Sequence, residues 1–147
     1  MVRKPELLAP AGDLNRLRYA LAYGADAVYA GQPAFSLRAR ENGFRSLDDI
    51  AEGIAICREQ GKKFYLTSNV IARNGKVEPF CKTLLEAAAL GPDAVIVADP
   101  GVVGFLRKEI PEMEVHLSVQ ANTTNWLTAA FWAELGVKRI ILSRELS

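Results

Sequence analysis

Apolar and polar residues along this chain follow two alternating rhythms. Windows with apolar residues three and four apart, such as Leu14, Leu17 and Leu21, predict amphipathic helices. Between them lie short aliphatic and aromatic runs, AVYAG, KFYLTSN, AVIVAD and EVHLSVQ, that predict strands. Gly24, Gly61, Gly91 and Gly136 each stand between a helix and the next strand, where a helix ends in a left-handed residue that glycine adopts without strain. Six strands are predicted, at 6–10, 27–31, 64–69, 94–99, 114–120 and from Arg139 onward. Five helices separate them. The first is capped by Asp13, the second starts at Ser46 with Asp49 completing a capping box, the third covers 76–90 after an Asn74-Gly75 tight turn, the fourth begins at Pro100, and the fifth covers 125–135.

Strict strand–helix alternation predicts an α/β fold with a parallel sheet covered by helices. A doubly wound sheet and a TIM barrel both satisfy the order; no G-x-G-x-x-G follows the first strand, which favours the barrel. A barrel closes with eight strands. Six strands therefore predict a partial TIM (β/α) barrel, a single incomplete domain over 1–147 and the N-terminal part of a longer protein.

Composition narrows the function classes. Of 147 residues, 50% are hydrophobic and the formal charge is +1, so no global field argues for a nucleic-acid or membrane surface. No run approaches the ~20 apolar residues of a membrane span, and no apolar run follows the basic N-terminus as in a secretory signal; a cytoplasmic protein without membrane partners is expected. One histidine and two cysteines argue against a Cys/His zinc site, and no metal site is expected. Cys57 and Cys81 both fall on apolar helical stripes, which predicts packing rather than reactivity.

In a barrel, chemistry sits at the carboxyl ends of the strands. The polar residues there are Tyr29, Asn69, Asp99, Ser118, Gln120, Asn122, Arg144 and Glu145. In the fifth strand Val115, Leu117 and Val119 alternate with His116, Ser118 and Gln120, so the polar set should face the interior. Asp99, Glu145 and His116 are the candidate catalytic groups; for Asp99 the competing role is a helix cap, and for His116 a hydrogen-bonded layer of barrel filling. Tyr29, Asn69, Ser118, Gln120, Asn122 and Arg144 are candidate substrate-binding groups. Arg38 and Arg40 join them, because guanidiniums interleaved with Phe35 and Phe44 can grip phosphate or carboxylate.

The segments KPELLAPAG, RYALAYGADAVYAGQPAFSLRAREN, GKKFYLTSN, GPDAVIVADPG, HLSVQANTTNW and RIILSRELS, in this order, resemble the N-terminal half of the collagenase-like peptidase family of unassigned catalytic type. GQPAFSLRARE is most similar to a bacterial branch associated with tRNA hydroxylation. That resemblance implies formation of 5-hydroxyuridine at the wobble position, with tRNA as partner and prephenate as small-molecule donor. Sister branches imply a four-cysteine iron–sulfur cluster in the full-length protein. The family's cysteine-containing signature follows SREL and is not reached, so neither Cys57 nor Cys81 takes a ligand role and no cofactor is expected in this chain. Two alternatives stay open: a peptidase using His116 with Ser118 or Ser143, or an Asp99/Glu145 pair, and a non-catalytic substrate-binding scaffold. Oligomeric state is not fixed by the sequence.

Overall fold

Helix starts are set by side chains that can cap them. In the computed structural model, which describes residues 4–37 and 42–146, the elements run β1 (Leu8–Pro10), α1 (Leu14–Ala22), β2 (Ala27–Gly31), α2 (Leu47–Glu59), β3 (Lys63–Thr67), α3 (Asn74–Ala88), β4 (Ala94–Val97), α4 (Pro100–Glu109), β5 (Val115–Leu117), α5 (Trp126–Glu134) and β6 (Arg139–Ile140). Asp13 accepts from Arg16 N–H, Ser46 and Asp49 form the reciprocal box, Asp99 accepts from Gly101 N–H, and Asn125 accepts from Thr128 N–H. The four glycine stops all hold positive φ, between 64° and 96°.

Several expected boundaries move. Asn74-Gly75 is not a free tight turn: Lys76 N–H donates to Arg73 C=O at 2.7 Å, and that turn becomes the first turn of α3. Strand four stops at Val97, because Asp99 leaves the ladder to cap α4. Strand five stops at Leu117, and Val119–Ala121 wind into a 3-10 turn that ends with Asn122 in the left-handed region (φ 50°). Cys57 is buried as expected, and burial pushes its thiol up to about 11; Cys81 is only half-buried.

The six strands pair in parallel, in chain order. Side-chain parity then divides the core. Val28, Ala30, Phe64 and Leu66 face outward onto Leu17, Leu21, Ile50 and Ile54 of α1 and α2. Val95, Val97, Val115 and Leu117 face outward onto Phe80, Leu84, Val103, Leu106 and Trp132 of α3, α4 and α5. Ala27, Tyr65, Ala94 and Ile96 face inward with Leu8, Tyr29 and Ile141. Phe44, one of the two phenylalanines interleaved with the arginines, is buried in the first of these clusters, and Phe35 packs against Phe80 with ring centroids 5.0 Å apart.

The inner face closes at its N-terminal end through charged groups. Glu6, just before β1, accepts from Arg139 of β6 at 2.6 Å and from the Tyr65 hydroxyl of β3 at 2.9 Å. His116 lies beside Tyr65 (ring centroids 4.7 Å apart), with its Nε2 2.7 Å from Glu114 Oε1. Contact between residues 6 and 139 requires the sheet to curl, which makes it a half-barrel. Among the described residues β6 pairs only with β5, and the neighbouring α5 leaves Trp126, Leu127 and Phe131 exposed while burying Trp132.

Above this floor, Gly43 N–H donates to Gly12 C=O at 2.7 Å, fastening the segment after β2 onto the β1–α1 loop. A Cβ at Gly43 would stand 2.8 Å from that carbonyl oxygen and 2.5 Å from Asp13 Cβ. Gly43→Ala should therefore lower stability by about 1–3 kcal/mol through forced backbone shifts, read as a fall in thermal midpoint; an unchanged midpoint contradicts the fastening.

Acid should weaken the half-barrel over two successive pH ranges. Burial holds His116 below its ordinary 6.5, against the opposing pull of Glu114. Burial alone would raise Glu6, but the hydrogen bonds from Arg139 and Tyr65 outweigh it and hold the carboxyl below its ordinary 4.5. In both cases the unfolded chain binds protons first on acidification, so stability falls as pH drops below 6.5, and again below 4.5. Glu6→Gln should cost about 1–3 kcal/mol at pH 7 and flatten the lower step in a pH series of thermal melts.

Candidate functional site: a donor-lined cavity at the strand ends

The carboxyl ends of the strands surround a cavity of about 450 Å³, within the range of small-molecule sites. Its deep wall is apolar: Leu8, Tyr29, Ile96 and Ile141 come from β1, β2, β4 and the end of β6, all at inward positions. Its mouth is polar, with Arg16, Ser36, Asn42, Thr67, Asn69, Ser118, Gln120 and Arg144.

The mouth residues differ in how much hydrogen-bonding capacity they have left. Asn42 is used up by the protein: its amide donates to Gly31 C=O at 2.6 Å and its carbonyl accepts from Phe44 N–H at 3.1 Å. Asn69 is buried; its Nδ2 donates to Ser118 Oγ at 3.2 Å and to Gln120 Oε1 at 3.0 Å, and its Oδ1 accepts from Leu37 N–H at 3.3 Å. Ser118 Oγ also donates to Gln120 Oε1. Ser36 Oγ and Thr67 Oγ1 are buried with no partner among the described residues. Gly31 makes room for the first of these, since a Cβ there would collide with Ser36 Oγ. Arg16 touches Asp13 at 3.5 Å with a largely exposed guanidinium, and Arg144 has no ion pair among the described residues.

Among the described residues, no Asp or Glu side chain lines the cavity. Two guanidiniums (Arg16 and Arg144), the unpartnered hydroxyls of Ser36 and Thr67, and the Gln120 amide line it beside the apolar residues. That arrangement suits a ligand with an apolar body and anionic, acceptor-rich groups.

Of the residues singled out from the sequence, Tyr29, Asn69, Ser118, Gln120 and Arg144 meet at this cavity. Asp99, Glu145, His116 and Asn122 do not line it. Asp99 is engaged by Gly101 N–H at 2.8 Å as the α4 cap. Glu145 is exposed, and its backbone N–H donates to Ser143 Oγ. His116 faces inward as its parity requires, but on the floor, against Tyr65 and Glu114. Asn122 is carried to the surface by the 3-10 turn that breaks the strand alternation. The three groups expected to be catalytic are thus not brought together. Arg38 and Arg40 lie outside the described residues.

Arg16, Ser36, Asn42 and Thr67 were not on that candidate list. Thr67 shares inward parity with Tyr65 and Asn69, and Arg16 sits one turn after the Asp13 cap at the mouth; both signals are in the sequence. Ser36 and Asn42 reach the cavity only because the segment after β2 folds back to Gly31 and Gly12, which no periodicity encodes.

An iron–sulfur cluster does not fit these residues. Cys57 lies in the α1/α2 core, Cys81 on α3, and no group of three His, Cys, Asp or Glu converges among the described residues. No helix among them is long and apolar enough to cross a membrane.

Comparison with known proteins matches this architecture. The chain is 52% identical to tRNA hydroxylation protein P of Escherichia coli (strain K12) over 98% of its own length and 32% of that protein. It is 39% identical to the 23S rRNA 5-hydroxycytidine C2501 synthase of the same strain, over 97% of this chain and 21% of that one. The chain thus spans about a third of the length of the first of these relatives and a fifth of the second. Among solved structures, the U32 peptidase Mk0906 superposes with a TM-score of 0.76 at 16% identity, covering 97% of this chain and 61% of that one. Residues 12–147 match the model of Peptidase family U32. With its half-barrel and its sequence in agreement, the chain belongs to peptidase family U32.

Proposed function

We propose that this chain is the N-terminal barrel part of a tRNA-modifying protein that forms 5-hydroxyuridine at the wobble position, and that its cavity holds the small-molecule donor, prephenate. The observation that supports the reading is the cavity itself: an apolar wall with, among the described residues, donors and two guanidiniums at its mouth and no carboxylate, suited to a cyclic organic anion. The relative at 52% identity, named for tRNA hydroxylation, supports the reaction class, and the rRNA 5-hydroxycytidine synthase supports RNA as the substrate type. Such a protein works in the cytoplasm, beside its RNA.

Further β–α units belong beside β6. Leu127 and Phe131 stand one helical turn apart on α5, exposed beside a strand with one free edge, and a helix apolar on that side calls for a packing partner. An iron–sulfur cluster, if the protein carries one, is held by residues beyond these 147.

The peptidase alternative draws no support from the geometry. Asp99 is engaged as a cap, and Glu145 and His116 stand away from the cavity. A scaffold that binds donor and RNA without turnover uses the same cavity and differs only in outcome.

Deleting the gene should remove wobble 5-hydroxyuridine from nuclease digests of host tRNA; an unchanged nucleoside profile rejects the function. Prephenate should raise the protein's thermal midpoint, and Arg16→Ala or Arg144→Ala should each weaken that binding by on the order of tenfold, the value of one charge-assisted hydrogen bond. Equal affinity in both variants would remove the cavity from the reading.

A further inference from the structure

Gln120 is exposed at the cavity mouth, yet its amide is not free to turn. Its Oε1 accepts from two groups at once, Asn69 Nδ2 and Ser118 Oγ. Its Nε2 makes no hydrogen bond among the described residues, and Gln120 lines the cavity. What holds it so is Asn69, more than nine-tenths buried on the segment after β3, whose own amide cannot rotate, because Leu37 N–H occupies its Oδ1. The chain of orientation therefore runs from a backbone N–H, through Asn69, to the last side chain before the ligand.

We infer that Asn69 is a positioning residue that sets the hydrogen-bond polarity of the cavity, turning Gln120 so that it offers N–H donors to an anionic ligand. This rests on the reading of the cavity as an anion site. A brace that merely tied β3 to β5 would need hydrogen bonds of any sense; a polarity setter needs this sense. An aspartate in place of Asn69 is nearly isosteric and can still accept from Leu37 and Ser118, but it cannot donate. Gln120 would then turn its Nε2 toward the aspartate and present Oε1 to the ligand, with a new negative charge behind it.

The test compares wild type, Asn69→Asp and Asn69→Ala at pH 8, with prephenate as probe in calorimetric titration and with the side-chain amide resonances of Gln120 followed by NMR. Wild type should bind with a clear shift of the Gln120 amide signals. Asn69→Ala should lose about tenfold in affinity and Asn69→Asp on the order of 100-fold, with the amide response abolished in the latter. Thermal midpoints of the ligand-free variants separate this from misfolding: a folded Asn69→Asp that binds as well as Asn69→Ala, or keeps the amide response, overturns the inference while leaving the anion site intact. Failure of wild type itself to bind prephenate rejects the anion reading, and the positioning role with it.

Discussion

The curvature of the sheet is the constraint on which the cavity depends, and a single carboxylate fastens it. Glu6 precedes the first strand, Arg139 opens the last, and the Tyr65 hydroxyl reaches both from the third. Without that junction six parallel strands could lie as an open twisted sheet, with Leu8 and Ile141 on distant edges. With it, side chains from strands and strand ends separated by 133 positions become opposite walls of one site. On its inner side the junction meets the Tyr65 ring, which in turn packs edge-on against His116, while Glu6 and Arg139 stay partly exposed. The two ends of the half-barrel thus differ in character, with charged groups below and a donor-lined cavity above.

The upper end shows a competition that shapes its chemistry. Each helix starts there, and each start has unpaired N–H groups that draw in nearby acceptors. Asp13, Asp49, Asp99 and Asn125 are all spent in this way. Guanidiniums and hydroxyls have no such claim on them, so the cavity is left with donors. A chain of net charge only +1 therefore still gathers hydrogen-bond donors at this mouth.

Most of the architecture was legible because two periodicities and four glycines encode it. β2 falls on 27–31 as predicted, the Ser46 box forms, and inward parity of His116 and Ser118 holds. The site was legible only in part. Position at the strand ends located Tyr29 and Asn69, and alternation located Ser118 and Gln120, but the same logic failed at Asn122, which the 3-10 turn sends outward. Asp99 looked equally good as acid or cap, and only the 2.8 Å bond from Gly101 decides between them. Ser36 and Asn42 depend on a segment pinned by one backbone bond, Gly43 to Gly12, a contact between residues whose types carry no pattern.

That 3-10 turn has a consequence for how such a cavity diversifies. A ladder residue cannot be added or removed without flipping every side chain beyond it, whereas the three residues wound as Val119–Ala121 lie outside the ladder, between β5 and the Asn125 cap, and are tied to the wall through Gln120. A change in the length of that turn would therefore reshape the entrance through Gln120 while leaving the strand register of the barrel wall untouched.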